Sequence, residues 1–408
     1  MKRILCFGSA LFVALSLVAE SPIRPGDRIA FVGNTFADQL RIYGYLETLL
    51  LQRSIENPVS IRNLGWAGDM LAARDRPTNF PTEESTLRAH KTDVIIACFG
   101  MGESFAGERG LDEFRENLKD FIASHKGKKY NGETEVRLIL ISPIAYEDHG
   151  NRTPNWERRN GELKVYTQAM NQVASNAGLP FVEINRLTSD LMEDYKAPKM
   201  TGNGVNLNEY GYWCVSRTLA DNLIAGPKPW RLEVDAGTAK ATGEGVSIGD
   251  VQLVGGGVRF KVSEESWPSL GAPTADGVHR LLEDQQDRLV VKNLSEGVHL
   301  LTIDGEAVTT ADHKRWAAGI PLSNTPAHQA LEAYREAIYD KNINFVYSWK
   351  ALNQVHIVGE RRKSASGRAL PAEIIEFNQI AQAKDMDLAK GIELKTREWR
   401  VTPVSLLR

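Results

Sequence analysis

Residues 26–35 have the sequence GDRIAFVGNT, in which a short apolar run is followed by a glycine turn. The run from Ile29 to Val32 is bounded by glycines, which favours a short buried strand. Gly33 and Asn34 are turn-forming residues, and Thr35 places a hydroxyl directly after them. This stretch therefore predicts a strand whose carboxyl end carries a candidate nucleophile.

The pattern of an apolar run followed by a helical segment recurs through residues 27–225. The apolar runs are short and rich in Val and Ile, and they lie at residues 29–32, 59–63, 94–99, 136–142 and 181–184. The helical patterns between them lie at residues 38–52, 111–125, 157–176 and 209–224. Such an alternation predicts a parallel sheet covered on both faces, which is a flavodoxin-like three-layer α/β/α fold.

The ligand crevice of a parallel sheet lies at the carboxyl ends of its strands. Three glycine-containing turns follow predicted strands, at residues 33–35, 65–69 and 100–103. We therefore expect these three turns to line one crevice.

The second half of the chain has a different composition. Residues 20–225 are predicted to form the α/β domain, and Gly226-Pro227-Lys228-Pro229 is a predicted linker. Alternating segments with turn residues between them predict a small antiparallel β unit over residues 230–322. Residues 326–408 are predicted to be a C-terminal helical segment that packs on the core, with a last helix near residues 377–390. Its packing face consists of apolar residues at three- and four-residue intervals, namely Leu331, Tyr334, Ile338, Phe345 and Trp349.

The amino terminus has the pattern of a secretory signal. Lys2 and Arg3 precede an apolar run that ends near Ala19, so residues 1–19 are predicted to be a signal peptide. A retained transmembrane anchor is the alternative, but the apolar run is short for spanning a bilayer. We therefore expect a secreted or periplasmic protein with no stable membrane anchor after cleavage.

Composition excludes several classes of partner. The 408 residues are 25% charged and 42% hydrophobic with a net charge of −3, which is typical of a soluble globular protein. No basic patch predicts a nucleic-acid partner, no Cys/His spacing predicts a metal site, and no glycine loop predicts a phosphate or cofactor site. Cys98 and Cys214 would remain after cleavage. Cys98 is expected to be a buried free thiol, although a disulfide between the two stays open.

Four short motifs, in order and at the expected spacing, resemble the SGNH (GDSL) hydrolase superfamily. The turn at residues 33–35 corresponds to the block that carries the nucleophile, and NLGWAGD at residues 63–69 corresponds to the second block. The third is CFGMGE at residues 98–103, and the last is NGVNLNEYG at residues 203–211. The first turn, Gly-Asn-Thr, is similar to that of one bacterial branch of the superfamily. The resemblance covers about half of the chain and implies an esterase-type crevice.

This chain departs from the family pattern at the residues that perform the chemistry. Thr35 stands where the family has a serine nucleophile, and Gly68 matches the glycine whose N–H enters the oxyanion hole. Gly102 replaces the oxyanion asparagine, and Asn203 and Asn206 replace the aspartate and histidine of the last block. An asparagine cannot act as a general base at neutral pH, so we expect ester hydrolysis to be lost or strongly impaired. The alternative is an active acyl-carbohydrate esterase that uses Thr35 with a non-standard base.

Other residues are candidates for a base or for ligand binding. His149 and His356 are weighed as substitute bases, although a loop histidine is the ordinary interpretation of each. Glu103 is either a carboxylate in the crevice or a cap for the next helix. The remaining candidates for contact with a small-molecule or carbohydrate ligand are Asn34, Trp66 and Asp69.

Overall fold

A computed structural model describes residues 21–77, 80–274, 277–352 and 360–404. The predicted signal peptide and His356 lie outside these residues. None of the helices in these four ranges is long and apolar enough to cross a membrane.

The first half of the chain forms a five-stranded, fully parallel sheet with the order β2-β1-β3-β4-β5. Its strands are β1 (Arg28–Gly33), β2 (Ser60–Asn63), β3 (Val94–Cys98), β4 (Arg137–Ile141) and β5 (Phe181–Val182). The helices that connect and follow these strands are α1 (Thr35–Tyr43), α2 (Tyr45–Arg53), α3 (Glu83–His90), α4 (Leu111–His125), α5 (Trp156–Asn176), α6 (Asn185–Met192) and α7 (Glu209–Leu223).

Alternate residues of the central strand β3 enter two separate cores. Val94, Ile96 and Cys98 pack into one apolar cluster. Ile95 and Ala97 pack into another. Because successive side chains of a strand point to opposite faces, the two clusters lie on opposite sides of the sheet. The predicted three-layer α/β/α fold is confirmed.

The predicted helix at residues 38–52 is two helices in the structure. Gly44 ends α1 with φ of 67° and begins α2, a left-handed conformation that favours glycine. The chain changes direction at this residue, and α2 then packs against α7.

Two further sheets follow the α/β part. The first has the order β13-β10-β6-β7, with β6 (Arg231–Asp235), β7 (Lys240–Glu244), β10 (Asp287–Lys292) and β13 (Ile320–Leu322). The second has the order β12-β11-β14-β9-β8, with β8 (Val246–Val254), β9 (Gly257–Glu264), β11 (Val298–Ile303), β12 (Glu306–Asp312) and β14 (Arg397–Pro403). Their shared core includes Trp230, Trp316 and Trp399. The pairing is antiparallel except that β6 and β10 run parallel.

The described residues of the C-terminal segment form two long helices and one strand. After the short α8 (His313–Ala318), helix α9 (Pro326–Trp349) packs on α1 and α2 of the α/β part, and α10 (Ala365–Leu388) packs along α9. The helical prediction for residues 326–408 misses β14, which pairs with β9 and β11. This strand joins the end of the chain to the second sheet.

Candidate active site

Thr35 is the first residue of α1 and follows β1 by two residues. The side chain of Asn34 caps the helix, because its Oδ1 accepts a hydrogen bond from Phe36 N at 3.0 Å. Gly33 has φ of 136°, and a Cβ there would lie 2.1 Å from the carbonyl oxygen of Cys98. A glycine is therefore required at the end of β1, and the turn directs Thr35 toward the carboxyl edge of the sheet.

The loop at residues 63–69 places a backbone donor on Thr35. Asn63 Nδ2 donates to Ala37 O at 2.6 Å, and Asn63 Oδ1 accepts from Gly65 N at 2.9 Å, so the loop is held against α1. Gly68 N then donates to Thr35 Oγ1 at 3.3 Å. This is the contact that a backbone oxyanion donor beside a nucleophile would make.

The side chain of Met70 occupies the space next to Gly102. A Cβ on Gly102 would lie 2.8 Å from Met70 Cγ and 3.0 Å from Met70 Sδ. The position of the family's oxyanion asparagine therefore has no side chain here, and a neighbouring thioether fills the space.

The carboxylate of Glu103 connects two loops and does not line the crevice. Its Oε2 accepts from Gly100 N at 2.8 Å, and its Oε1 accepts from Leu71 N at 2.9 Å. Burial raises the pKa of Glu103, whereas the backbone donors act in the opposite direction. The structure therefore gives Glu103 the role of holding these turns.

Asn203 and Asn206 have different roles in the last motif. Asn203 is exposed, and its Oδ1 accepts from Val205 N at 3.2 Å and Asn206 N at 2.9 Å, so it forms an Asx turn. Asn206 lines the same pocket as Thr35. In the described part of the chain, the Asn206 carboxamide makes no hydrogen bond, which leaves its donors and acceptor to a ligand.

These loops enclose a pocket of about 290 Å³. Six of the predicted site residues line it, namely Asn34, Thr35, Gly68, Asp69, Gly102 and Asn206. Most of the other lining residues are apolar, namely Phe36, Met70, Phe99, Met101, Phe105, Pro143, Ile144 and Val205, and Cys98 and Ser142 complete the lining. The volume is at the lower end of the range for ligand sites, so it suits a small group such as a short acyl chain.

Trp66 does not line this pocket, unlike the prediction. Its ring lies edge-on to Phe80 and Trp349, with centroid distances of 5.6 Å in both cases. Arg76 and Lys350 lie over the ring at 4.5 Å and 4.8 Å from its centroid. Since aromatic rings and cations surround it, Trp66 holds helix α9 against the loop at residues 63–69.

Asp69 lines the pocket, but Arg76 compensates its charge. Arg76 Nη1 and Nη2 donate to the two Asp69 carboxylate oxygens at 2.8 Å and 2.6 Å. Asp69 is only 4% exposed. Because Arg76 occupies both carboxylate oxygens, Asp69 is a poor candidate for the general base.

His149 belongs to a separate buried network. Its Nε2 lies 2.8 Å from Thr201 Oγ1 and 3.1 Å from Glu147 Oε2, and Glu147 also accepts the N–H of Met200 and of Thr201. This network fixes the loop that precedes Asn203. Across the four described ranges, no imidazole or carboxylate hydrogen-bonds to the Thr35 hydroxyl.

The thiols and possible metal ligands give no replacement for the missing base. Cys98 and Cys214 are both free and buried, and burial raises the pKa of the Cys98 thiol, so it stays protonated at neutral pH. In the residues that the structure describes, no group of three His, Cys, Asp or Glu side chains is placed to hold a metal ion.

Phe105 is a pocket residue that the sequence motifs do not mark. Its ring is 62% exposed at the pocket wall and rests on the guanidinium of Arg159, whose Cζ lies 3.7 Å from the ring centroid. Arg159 is buried and donates to Ser104 O at 3.0 Å and Ser104 Oγ at 2.8 Å. The only signal in the sequence is its position, three residues after Gly102.

Comparison with solved structures finds one of the same overall fold. BT4096, described as a gut microbial diltiazem-metabolizing enzyme, is 17% identical, covers 94% of this chain and 99% of its own, and gives a TM-score of 0.71. A catalytic mutant of Axe2, an acetylxylan esterase from Geobacillus stearothermophilus, is 16% identical over 50% of this chain and 100% of its own, with a TM-score of 0.38. No family model matches the chain, and no curated protein matches it in sequence. The chain therefore shares the overall fold of BT4096, a parallel α/β/α part followed by additional, largely antiparallel sheets.

Proposed function

We propose that this is an exported SGNH-type protein whose crevice binds an ester- or carbohydrate-type ligand, and whose conventional ester hydrolysis is lost or strongly impaired. The observation that carries the proposal is the environment of Thr35. Its hydroxyl receives the N–H of Gly68 at 3.3 Å but has no proton acceptor among the described side chains. A hydroxyl nucleophile needs an adjacent base, because it is weak in its protonated form.

The groups that remain in the crevice support binding. The Gly68 N–H, the free Asn206 carboxamide and the Asn34 amide offer neutral hydrogen-bonding groups at a largely apolar wall. An ester carbonyl can accept from such donors while its acyl chain packs against Met70 and Phe36. We propose an acylated sugar or a similar small neutral ester as the ligand.

The alternative is an active ester hydrolase with Thr35 as the nucleophile. The position of Thr35 at the amino end of α1 favours it, since the helix dipole and the Gly68 N–H stabilise negative charge there. The likeness in fold to a diltiazem-metabolizing enzyme is compatible with this alternative. It requires a base from outside the hydrogen-bonded neighbours of Thr35.

Titration calorimetry with acetylated oligosaccharides at pH 5.5 and pH 8 tests the binding proposal. We expect weak binding with the same dissociation constant at both pH values, because none of the described histidines lines the pocket and Arg76 pairs with the carboxylate of Asp69. Asn206→Leu should weaken binding about tenfold, since one ligand hydrogen bond is lost. The matched control is Asn222→Leu on the exposed face of α7, which should leave binding unchanged.

Two results would contradict the proposal. Absence of binding across the panel would show that the crevice does not bind this class of ligand. A strong pH dependence of the affinity would require a titrating group in the crevice. Export is a separate part of the proposal and rests on the pattern of residues 1–19. Amino-terminal sequencing of the protein from the periplasm or medium should give a chain that begins near Glu20, whereas an intact Met1 would contradict cleavage.

A further inference from the structure

A second polar pocket lies at the opposite edge of the parallel sheet from Thr35. It has a volume of about 290 Å³, and we call it the amino-edge pocket. Its polar lining includes Arg28 and Ser60, the first residues of β1 and β2, with Arg62, His90, Lys91 and Asp385. Since β1 separates Arg28 from Thr35, the two pockets are about 20 Å apart along the strand.

The guanidinium of Arg62 is buried but only partly satisfied. Its side chain is 7% exposed, and its Nη1 donates to Ile61 O at 2.9 Å and lies 2.6 Å from Asp385 Oδ2. Within the part of the chain that the structure describes, Nε and Nη2 have no hydrogen-bond partner, and neither atom is fully enclosed. The Nε–Nη2 edge presents two parallel N–H groups, which is the geometry that binds a carboxylate or phosphate with two hydrogen bonds.

The charges around this edge favour an anion. Arg28 and Lys91 add two exposed cations to the lining. The carboxylate of Asp385 is the only acidic group in the described lining, and it already pairs with Arg62 and accepts a hydrogen bond from Ser60 Oγ at 3.3 Å. The pocket therefore has more positive than negative charge.

His90 supplies a neutral hydrogen-bonding group at the same place. Burial, with the nearby charges of Arg62 and Lys341, lowers the pKa of His90 to about 3, so the imidazole is uncharged at neutral pH. Its Nε2 is buried and makes no hydrogen bond of normal geometry to the described residues, although the backbone carbonyls of Ile29 and Ser60 lie close to the ring. Two carboxylates oppose the charge of Lys341: Glu47, which pairs with it directly, and Asp385, whose Oδ1 lies 3.8 Å from Lys341 Nζ.

We propose that the amino-edge pocket is a binding site for a small oxyanion, a phosphate or carboxylate group held by the Nε–Nη2 edge of Arg62. Arg28 and Lys91 attract the anion, and Asn378 and Gln382 of α10 provide amide donors at the rim. The inference does not depend on the chemistry at Thr35, because the two pockets share no residue.

Calorimetric titration of the full chain with inorganic phosphate at low chloride tests the site, with succinate as the carboxylate probe. We expect saturable binding of one anion per chain, and the tighter of the two probes identifies the preferred group. Arg62→Lys keeps the charge but loses the paired donors, so it should weaken binding at least tenfold. Thr35→Val should have no effect.

A second variant does not disturb the buried arginine. Arg28→Gln with Lys91→Gln should weaken binding about fivefold to tenfold, because two exposed cations are removed. The control is Arg115→Gln with Lys119→Gln on exposed positions of α4, which changes the net charge equally and should alter the affinity less than twofold. Absence of saturable binding by the unaltered protein, or an equal loss in the control pair, would overturn the proposal.

Discussion

Restoring the missing base and oxyanion donor should require three changes, because Met70 stands where the oxyanion side chain would be. Gly102 has φ of −65° and ψ of −47°, so its backbone accepts any residue. The obstacle is Met70, whose Cγ and Sδ would lie 2.8 Å and 3.0 Å from a new Cβ. Gly102→Asn should therefore work only together with Met70→Ala.

The cost of the steric conflict can be measured as a coupling free energy. Forcing a Cβ against Met70 should lower the free energy of unfolding by about 1–3 kcal/mol, the usual cost of overpacking. Met70→Ala should cost less than the about 2–5 kcal/mol typical of a buried methionine, since Met70 is only partly buried. The double variant should therefore lose at least about 1 kcal/mol less free energy of unfolding than the sum of the losses in the two single variants, as measured by urea unfolding.

The activity gain can be estimated from the groups restored. Asn206→His supplies a base facing the Thr35 pocket without loss of a protein hydrogen bond, and a positioned base contributes about 10²–10⁴-fold. Adding Gly102→Asn with Met70→Ala supplies an oxyanion donor, which contributes about 10²–10³-fold. Hydrolysis of p-nitrophenyl acetate should rise in this order, most strongly in the triple variant. A folded triple variant no faster than Asn206→His alone would show that Met70 is not what prevents restoration.

Three other predictions concern stability and binding. Burial raises the pKa of Glu264 to about 7 in the folded state, above its ordinary 4.5. The folded form therefore holds more protons than the unfolded form between these values. The free energy of unfolding should fall by up to about 3 kcal/mol as pH rises from 4.5 to 7. The free energy of unfolding measured in urea should fall between pH 5 and pH 8 in the unaltered protein but not in Glu264→Gln. An equal change in the two proteins would contradict this prediction. Lys341→Met leaves the carboxylate of Glu47 buried without its cation and should lower the free energy of unfolding by about 3–5 kcal/mol. The double variant with Glu47→Leu should recover most of that loss, and failure to recover it would contradict the pairing. Phe105→Ala should weaken ligand binding about threefold to tenfold in calorimetry while the free energy of unfolding changes by less than about 0.5 kcal/mol, and unchanged affinity would exclude a role in the crevice.

The gathering of Thr35, Gly68 and Gly102 in one pocket was predictable from sequence. Each follows a strand of a parallel sheet, and the carboxyl ends of such strands share one edge. The position of Asn206 needed the family resemblance as well, because its loop follows α6 and not a strand.

The surroundings of Trp66 were not predictable from local sequence. Its ring packs on Trp349 and Lys350, nearly 300 residues away, and only the docking of α9 brings them together. Met70 presents the same difficulty, since nothing in its neighbours indicates that its side chain turns toward Gly102. Such contacts depend on tertiary packing, which motif spacing does not encode.

Strand β14 had a weak local signal that was missed. Trp399 and Val401 alternate with the polar Arg400 and Thr402, which is the two-residue period of a half-buried strand. The segment is short and follows a long helical region, so its partners β9 and β11 cannot be inferred from its own residues. The parallel pairing of β6 with β10 is non-local in the same way.

The most direct test of the central claim is the rate at which the unaltered protein hydrolyses p-nitrophenyl acetate, compared with Thr35→Val. The valine keeps the shape of the side chain and replaces the hydroxyl with a methyl group. Because Thr35 has no base among the described side chains, both proteins should give rates within about twofold of each other and close to background. Turnover by the unaltered protein that falls at least about 100-fold in Thr35→Val would contradict the account and establish Thr35 as a working nucleophile.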